Sequence, residues 1–420
     1  MSDLAIKDRV VSVNGRGYRW PRRPTVVVCI DGSEPGYIEA AIEKGLAPNF
    51  ARLMRDGANL TALSAMPSFT NPNNISIITG QPPSMHGIAG NYFLDPETGL
   101  EVMMNDAKFM RTGTIMAAFQ DAGARVAVVT AKDKLRTLLG RGLDMGSGRA
   151  VAFSAEKADQ ATVEANGIGD LLETLGLPLP DVYSAELSGF VMAAGVHLLE
   201  HWRPDLMYLS TTDYIQHKAA PGTPLADAFY AMLDGHVGAL DAADCTLVLT
   251  ADHGMNAKHK PDGTPDVVYL QALLDEWLGD GQARVILPIT DPYVAHHGAL
   301  GSFATAYLPS GADVEVIRDR VAGVEGIELV LTRDEACARF ELPGDRIGDL
   351  VVVSEREKVI GTRAELHDLS GLDEPLRSHG GLTEQLVPMI ANAKVELEPG
   401  HVLRNFDVFD MALNGVVLEG

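Results

Sequence analysis

Four short runs of apolar, mostly β-branched residues recur along the chain: TVVVCI (25–30), RVAVVT (125–130), LMYLS (206–210) and CTLVLT (245–250). None alternates polar with apolar residues, and each has the length of a strand buried on both faces. Stretches of helical composition lie between them: APNFARLMRDG (47–57), TIMAAFQDAG (114–123) and SAELSGFVMAAGVHLLEHW (184–202). Gly57 and Gly123 stand where two of these helices would stop. Strands alternating with helices predict an α/β fold with a doubly wound, mostly parallel sheet. Ligands bind such sheets beyond the carboxyl ends of the strands, so chemistry is expected there.

From about residue 261 to 369 the pattern changes. A polar turn, HKPDGTPD (259–266), leads to RVILPI (284–289), FATAYLP (303–309), a helix over DVEVIRDRVAGV (313–324), GIELVLT (326–332) and DLVVVSE (349–355). This compact α+β pattern predicts a smaller domain, 261–369, inserted into a core made of 24–260 and 370–420. The tail, QLVPMIANAKVEL and then NFDVFDMALNG, is expected to return to the core.

Composition narrows the function. A net charge of −23 argues against a general nucleic-acid or anionic-membrane binder. Three cysteines, Cys29, Cys245 and Cys337, fit a reduced cytoplasmic protein rather than a disulfide scaffold. The N-terminus has no apolar signal core, and no apolar run approaches the ~18 residues of a membrane span.

Three of the four runs end at aspartates. Asp31 follows the first and precedes a glycine; it suits a metal ligand or a turn-former. Asp213 and His217 follow the third, four residues apart, which on a helical turn puts both on one face, for a cation or simply for solvent. Asp252 and His253 follow the fourth, as ligands or as a capping aspartate with a buried histidine. His379, in SHGG before a helix candidate, is uninformative alone. Together the set is stronger, because three aspartates at one sheet edge would repel one another unless cations intervened. Mixed carboxylate and imidazole donors without thiolates suit Zn²⁺ or another divalent transition metal. In SAMPSFTNPNNISIITG (64–80), Thr70 is expected at a helix N-terminus, where it either faces an anion or serves as the N-cap; Ser68 could play either part.

These segments resemble the alkaline phosphatase superfamily of two-metal phosphoryl hydrolases. The D-x-x-x-H, DHG and HGG motifs, in this order, carry the likeness to the superfamily rather than to one substrate; within it the chain is most similar to the phosphonoacetate hydrolase family, with nucleotide pyrophosphatase/phosphodiesterases a close second. The resemblance covers about 25–255 and 375–392. It implies two Zn²⁺ per chain, one held by Asp213, His217 and His379 and the other by Asp31, Asp252 and His253. It further implies Thr70 as nucleophile through a phosphothreonine, Asn91 as donor to a phosphoryl oxygen, Tyr214 lining the substrate pocket, and a homodimer. SFTNPN lacks the arginine of the sulfatase motif. TAKDKLR (130–136) supports the narrower reading, because the resemblance gives Lys132 and Lys134 the carboxylate of a small anionic phosphonate. An alternating K-x-K could point both ammonium groups the same way; exposed lysines, or a lysine engaged with Asp133, remain the plainer alternative. The implied reaction is hydrolysis of a carbon–phosphorus bond to acetate and phosphate. A nucleotide diesterase would instead need an aromatic base slot, for which Phe69, Tyr92 and Phe93 are the local candidates. A phosphomutase or a non-catalytic phosphate-binding protein are further rivals. The adjacent His296 and His297 are read as structural or surface residues.

Overall fold

The computed structural model describes residues 9–289 and 298–417. Eleven strands make its two larger sheets. The main sheet contains β1 (Thr25–Cys29), β2 (Ala58–Leu63), β3 (Val126–Thr130), β4 (Ala150–Ser154), β5 (Leu206–Ser210) and β6 (Thr246–Thr250). A second sheet follows, with β7 (Arg284–Ile286), β8 (Phe303–Tyr307), β9 (Ile327–Thr332) and β10 (Leu350–Ser354), before β11 (Leu386–Ala391) rejoins the first. The main sheet has the order β2-β11-β6-β1-β5-β3-β4. Neighbours from β6 to β4 are parallel, and β11 runs antiparallel to both β6 and β2.

Every residue of β1, β3, β4, β5 and β6 is buried, which is why these runs carry no alternation. Val26 and Val28 of β1 face α1 (Pro48–Asp56), whereas Val27 and Cys29 face α2 (Thr70–Thr79) and α3 (Ile115–Asp121). The second face also takes α4 (Asp133–Leu139); the first takes α5 (Ala185–His201), α6 (Tyr214–Lys218) and α7 (Pro224–Ala242). Cys29 is therefore packed inside the sheet.

The second sheet is antiparallel throughout, in the order β7-β8-β10-β9. One face packs Ala304, Val330 and Val352 against Ile317 and Val321 of α8 (Val314–Ala322). The other sets Phe303, Val351 and Val353 against Met66 and Phe69, the latter immediately before Thr70. The inserted sheet thus buttresses the loop that presents Thr70.

Two local expectations change. The helix candidate after His379 is a single 3₁₀ turn, Leu382–Glu384, leading straight into β11. Pro388 cannot donate a helical hydrogen bond, and in β11 it lies where the strand pairs with β2 alone. Lys132 and Lys134 follow a strand as expected, since β3 ends at Thr130, but Lys132 caps α4 and Lys134 stands on its first turn, so the alternation that would point both ammonium groups the same way does not hold. Among the described residues no helix is long and apolar enough to cross a membrane.

Candidate active site

The carboxyl ends of β1, β5 and β6 bring Asp31, Asp213 and Asp252 to one edge of the sheet. Gly32 permits this. Its φ is +70°, and a Cβ there would lie 2.8 Å from the Cβ of Asp213. His217 Nε2 lies 2.9 Å from Asp213 Oδ2, and His379 Nε2 lies 3.6 Å from the same oxygen. His253 Nε2 lies 3.3 Å from Asp31 Oδ1 and 3.8 Å from Asp252 Oδ2. The His253 and His379 rings stack with centroids 3.6 Å apart.

All three imidazoles are aimed in the same way. Nδ1 of His217 contacts the Arg377 carbonyl at 2.8 Å, that of His253 contacts the Gly254 carbonyl at 2.8 Å, and that of His379 contacts the Ser68 carbonyl at 2.9 Å. A carbonyl only accepts, so each Nδ1 carries the proton and donates it. Each Nε2 is then left facing the aspartates, the atom through which histidines oriented in this way ligate a metal.

The donors fall into two groups whose ligand atoms lie within 4.8 Å of one another: Asp213, His217 and His379, and Asp31, Asp213 and His253. Asp213 thus stands between the groups. Asp252 reaches the same edge, but its oxygens accept the N–H groups of Gly32 and His253 and the amide of Asn74. A carboxylate has lone pairs beyond those three bonds, so this leaves Asp252 able to serve as a ligand.

Electrostatics match this donor set. Burial, followed by the charges of Asp213 and Asp252, pushes the Asp31 carboxyl well above its ordinary range. Its Oδ1 is buried and has no hydrogen-bond partner among the described residues. Burial likewise raises Asp252. Burial would also raise Asp213, yet His217, His379 and His253 hold it well below the ordinary range. Burial, then the His253 charge, keeps His379 from protonating. An orphaned carboxylate oxygen, crowded aspartates and an imidazole that burial keeps from protonating are the environment that divalent cations fit.

Thr70 is the first residue of α2, with Phe69 extended at the N-cap, and its side chain makes no cap bond. Its Oγ1 lies 3.2 Å from His253 Nε2. The hydroxyl therefore opens onto the carboxylate–imidazole cluster at a helix N-terminus. Ser68 takes another role, since its hydroxyl donates to the Gly381 carbonyl at 2.7 Å. Asn91 donates its side-chain amide to the Ile289 carbonyl at 2.9 Å, while its Oδ1 is buried without a partner among the described residues.

Lys132 is half-buried. Its Nζ lies 5.1 Å above the Tyr183 ring and 3.3 Å from the Val182 carbonyl. Burial lowers its pKa, while Glu156, Asp213 and Asp31 work to keep it charged. Tyr183 in turn meets Tyr214 at a centroid distance of 5.8 Å. Lys134 is exposed on the first turn of α4. His296 and His297 lie outside the described residues.

Asn74 was not singled out by sequence reasoning. It donates to Asp252 Oδ2 at 3.0 Å and to the Thr70 carbonyl at 3.1 Å, and accepts from Tyr208 and Ser210. Its signal is an adjacent amide pair, Asn73-Asn74, in a helix buried from Pro72 to Thr79, where buried amides need partners.

A family model described as type I phosphodiesterase / nucleotide pyrophosphatase matches residues 25–382. The chain belongs to this family. The family lies within the alkaline phosphatase superfamily of metal-dependent hydrolases. Two crystal structures of phosphonoacetate hydrolase from Sinorhizobium meliloti 1021 are 60% identical to this chain. Each alignment covers 98% of this chain and 99% of the other. The structure in complex with phosphonoformate has a TM-score of 0.95, and the one with phosphonoacetate 0.94. Murine ectonucleotide pyrophosphatase / phosphodiesterase 5 shares the fold, with a TM-score of 0.63, 19% identity, and coverage of 94% of this chain and 96% of that one. An uncharacterized pyrophosphatase/phosphodiesterase of Schizosaccharomyces pombe is 36% identical over 75 residues, which are 18% of this chain and only 15% of that protein.

Proposed function

We propose that this member of the family is a phosphonoacetate hydrolase that cleaves the carbon–phosphorus bond to give acetate and phosphate. The observation that carries the reading is a half-buried lysine ammonium, Lys132, in the field of the same aspartates that face Thr70 and the three histidines. It is supported by the 60% identity to a phosphonoacetate hydrolase crystallised with phosphonoacetate and phosphonoformate. One end of the site suits a phosphoryl group and the other a carboxylate.

Two Zn²⁺ are the cations proposed, one held by Asp213, His217 and His379 and the other by Asp31, Asp252 and His253. When bound, they would supply the positive charge that lowers the Thr70 hydroxyl pKa and neutralises the phosphoryl oxygens. Thr70 Oγ1 attacks phosphorus in line and loses its proton to solvent, which returns one to the departing carbon. The P–C bond breaks as the O–P bond forms, and the electron pair leaves on the methylene carbon as an enolate-like carbanion of acetate. The Lys132 ammonium at the carboxylate stabilises that charge, and protonation of the carbon completes acetate. Water then attacks phosphorus of the phosphothreonine from the Asp213 side; its oxygen bonds phosphorus as the Thr70 Oγ1–P bond breaks, one water proton returns to Oγ1, and phosphate leaves. Asn91 steadies a phosphoryl oxygen, Tyr214 walls the pocket with Tyr183, and Lys134 assists at the carboxylate from the outer side.

The segment 261–369 is proposed as a cap domain on a core of 24–260 and 370–420. The same reading places the chain in the cytoplasm as a homodimer acting on a small anion, without nucleic acid or membrane; the net charge of −23 is in keeping with that. Two aromatics suggested for a nucleobase slot are unsuited to it. Phe69 is buried between Phe303 and His379, and Phe93 is buried beside Phe109.

The test is phosphate release by zinc-loaded protein from phosphonoacetate, with a phosphate monoester and a nucleotide diester alongside. Turnover of phosphonoacetate in preference to both is expected, and preference for the diester overturns the reading. Thr70→Ala should abolish turnover and leave zinc bound; wild-type-like activity in that variant removes Thr70 as nucleophile.

A further inference from the structure

The imidazoles of His217, His253 and His379 hang from three segments that meet only in space: the last turn of α6, the loop after β6, and the turn before β11. Arg377 touches all three. Its Nε donates to the Gln216 carbonyl at 2.8 Å, one residue before His217. Its Nη2 donates to the Met255 carbonyl at 3.3 Å, two residues after His253, and to the Tyr37 hydroxyl at 3.0 Å. Its own carbonyl receives the His217 Nδ1 proton at 2.8 Å. Its backbone pairs with Ala257, in a two-residue ladder that also joins Ser378 to Asn256. Tyr37 extends the set by donating to the Ala219 carbonyl at 2.7 Å, which closes off α6.

The guanidinium is buried, and its relative exposure is only 9%. Among the described residues no carboxylate forms an ion pair with it within 4.0 Å. Its charge is spent on neutral acceptors: two backbone carbonyls and a phenol. Its charge relation with an acid is at longer range, with Glu34, whose carboxyl burial raises and the Arg377 charge pulls down. Burying a cation without a contacting counter-ion is unfavourable unless its donors find fixed geometry in return. Here that geometry is the relative placement of the backbone segments that carry the imidazoles. A lysine could not reproduce it, because a point-charge ammonium lacks the planar fork that reaches two carbonyls at once.

We propose that Arg377 is a positioning residue that sets the spacing of the three histidines and, through it, the affinity of the site for metal. This rests on the metal site proposed above. Arg377 touches neither substrate nor the reacting atoms.

The experiment is zinc titration of chelator-stripped wild-type protein and of the Arg377→Lys, Arg377→Met and Tyr37→Phe variants, followed by equilibrium dialysis and melting of each metal-free form. In Arg377→Lys the zinc dissociation constant should rise about 10–100-fold, as for other groups that orient metal-ligating histidines. kcat should fall while KM for phosphonoacetate stays close to wild type, because the lysine end of the pocket is untouched. Tyr37→Phe should weaken zinc in the same direction by a smaller factor. A purely structural arginine would lower the metal-free melting temperature and leave zinc affinity unchanged in the folded variant; that result overturns the proposal. If Arg377→Met does not fold, Arg377→Lys and Tyr37→Phe decide. A wild-type protein that binds no zinc overturns the metal reading itself, whereas wild-type binding with equal affinity in folded Arg377→Lys overturns only the role of Arg377.

Discussion

Asp213, His217 and His379 set one carboxylate against two imidazoles, whereas Asp31, Asp252 and His253 set two carboxylates against one. The first half balances itself. Asp213 is held low in pKa by the histidines around it, and His217 Nε2 sits 2.9 Å from its oxygen. The second half does not. Asp31 is buried, its Oδ1 has no hydrogen-bond partner among the described residues, and burial and its fellow aspartates push its carboxyl well up. The demand for a cation is therefore concentrated at the ends of β1 and β6, where the aspartates hang directly from buried strands and cannot swing apart. The half on α6 and the turn before β11 is closer to complete in the protein alone.

Charge removal provides the sharpest test of this difference. Asp31→Asn and Asp213→Asn should each reduce turnover by on the order of 10²–10³, as expected for loss of one preorganised electrostatic group. Their effects on the metal-free protein should be opposite in sign. Asp31→Asn relieves repulsion and should raise the melting temperature by about 2–4 °C for each ~1 kcal/mol gained. Asp213→Asn strips His217 of its partner and should lower it. Differential scanning calorimetry of chelator-treated protein measures both, and shifts of the same sign would break the comparison.

A second cut lies between the halves. Glu384 accepts the backbone N–H of Gly254 on its carbonyl at 2.7 Å and that of Gly381 on Oε2 at 2.8 Å, and its Oε1 pairs with the fully buried Lys258 at 3.0 Å. It therefore fastens the loops that follow both His253 and His379. Lys258→Met leaves that carboxylate buried and unpaired and should cost about 3–5 kcal/mol in denaturant unfolding. Zinc affinity should fall in both halves together; loss confined to one half would show that the loops are held separately.

The smallest effects concern the lysines. Lys132→Ala removes a half-buried charge and should lower kcat/KM for phosphonoacetate by about 10–100-fold, the worth of a charge-assisted hydrogen bond, and spare p-nitrophenyl phosphate. Lys134→Ala, at an exposed position, should change the same quantity by less than about threefold. Equal losses from the two variants would restore the idea that the lysines act as a matched pair.

Much of this was legible in the sequence because buried parallel strands announce themselves. The runs at 25–30, 125–130, 206–210 and 245–250 coincide with β1, β3, β5 and β6. The remaining strands of the sheet were harder. β2 lies at the sheet's edge, with only one of its six residues buried, so its composition is mixed. β4, AVAFS, is as long as the strands that stood out but has a single β-branched residue and two alanines. Aspartates at strand ends revealed the candidate ligands, since few other arrangements place three carboxylates together. The supporting residues did not stand out, because their partners are backbone carbonyls from distant segments. Nothing in RSHGG indicates that the Arg377 carbonyl orients a histidine 160 positions earlier. The direction of the lysines was harder to read, because a helix that starts at Asp133 replaces the alternation K-x-K suggests.

The place of β11 in the sheet has a consequence for how the chain is made. It lies between β2 and β6, and its partner β2 has no other neighbour in that sheet. Residues 58–63 leave the ribosome long before residues 386–391, with which they pair. Until β11 is made, β2 must wait without its partner in the sheet. His379 emerges only seven residues ahead of Leu386, so the last imidazole and the missing strand arrive together. Completion of the sheet and of the site is one late event, and a nascent chain truncated before it would present an open sheet edge, the form most prone to pair with another copy.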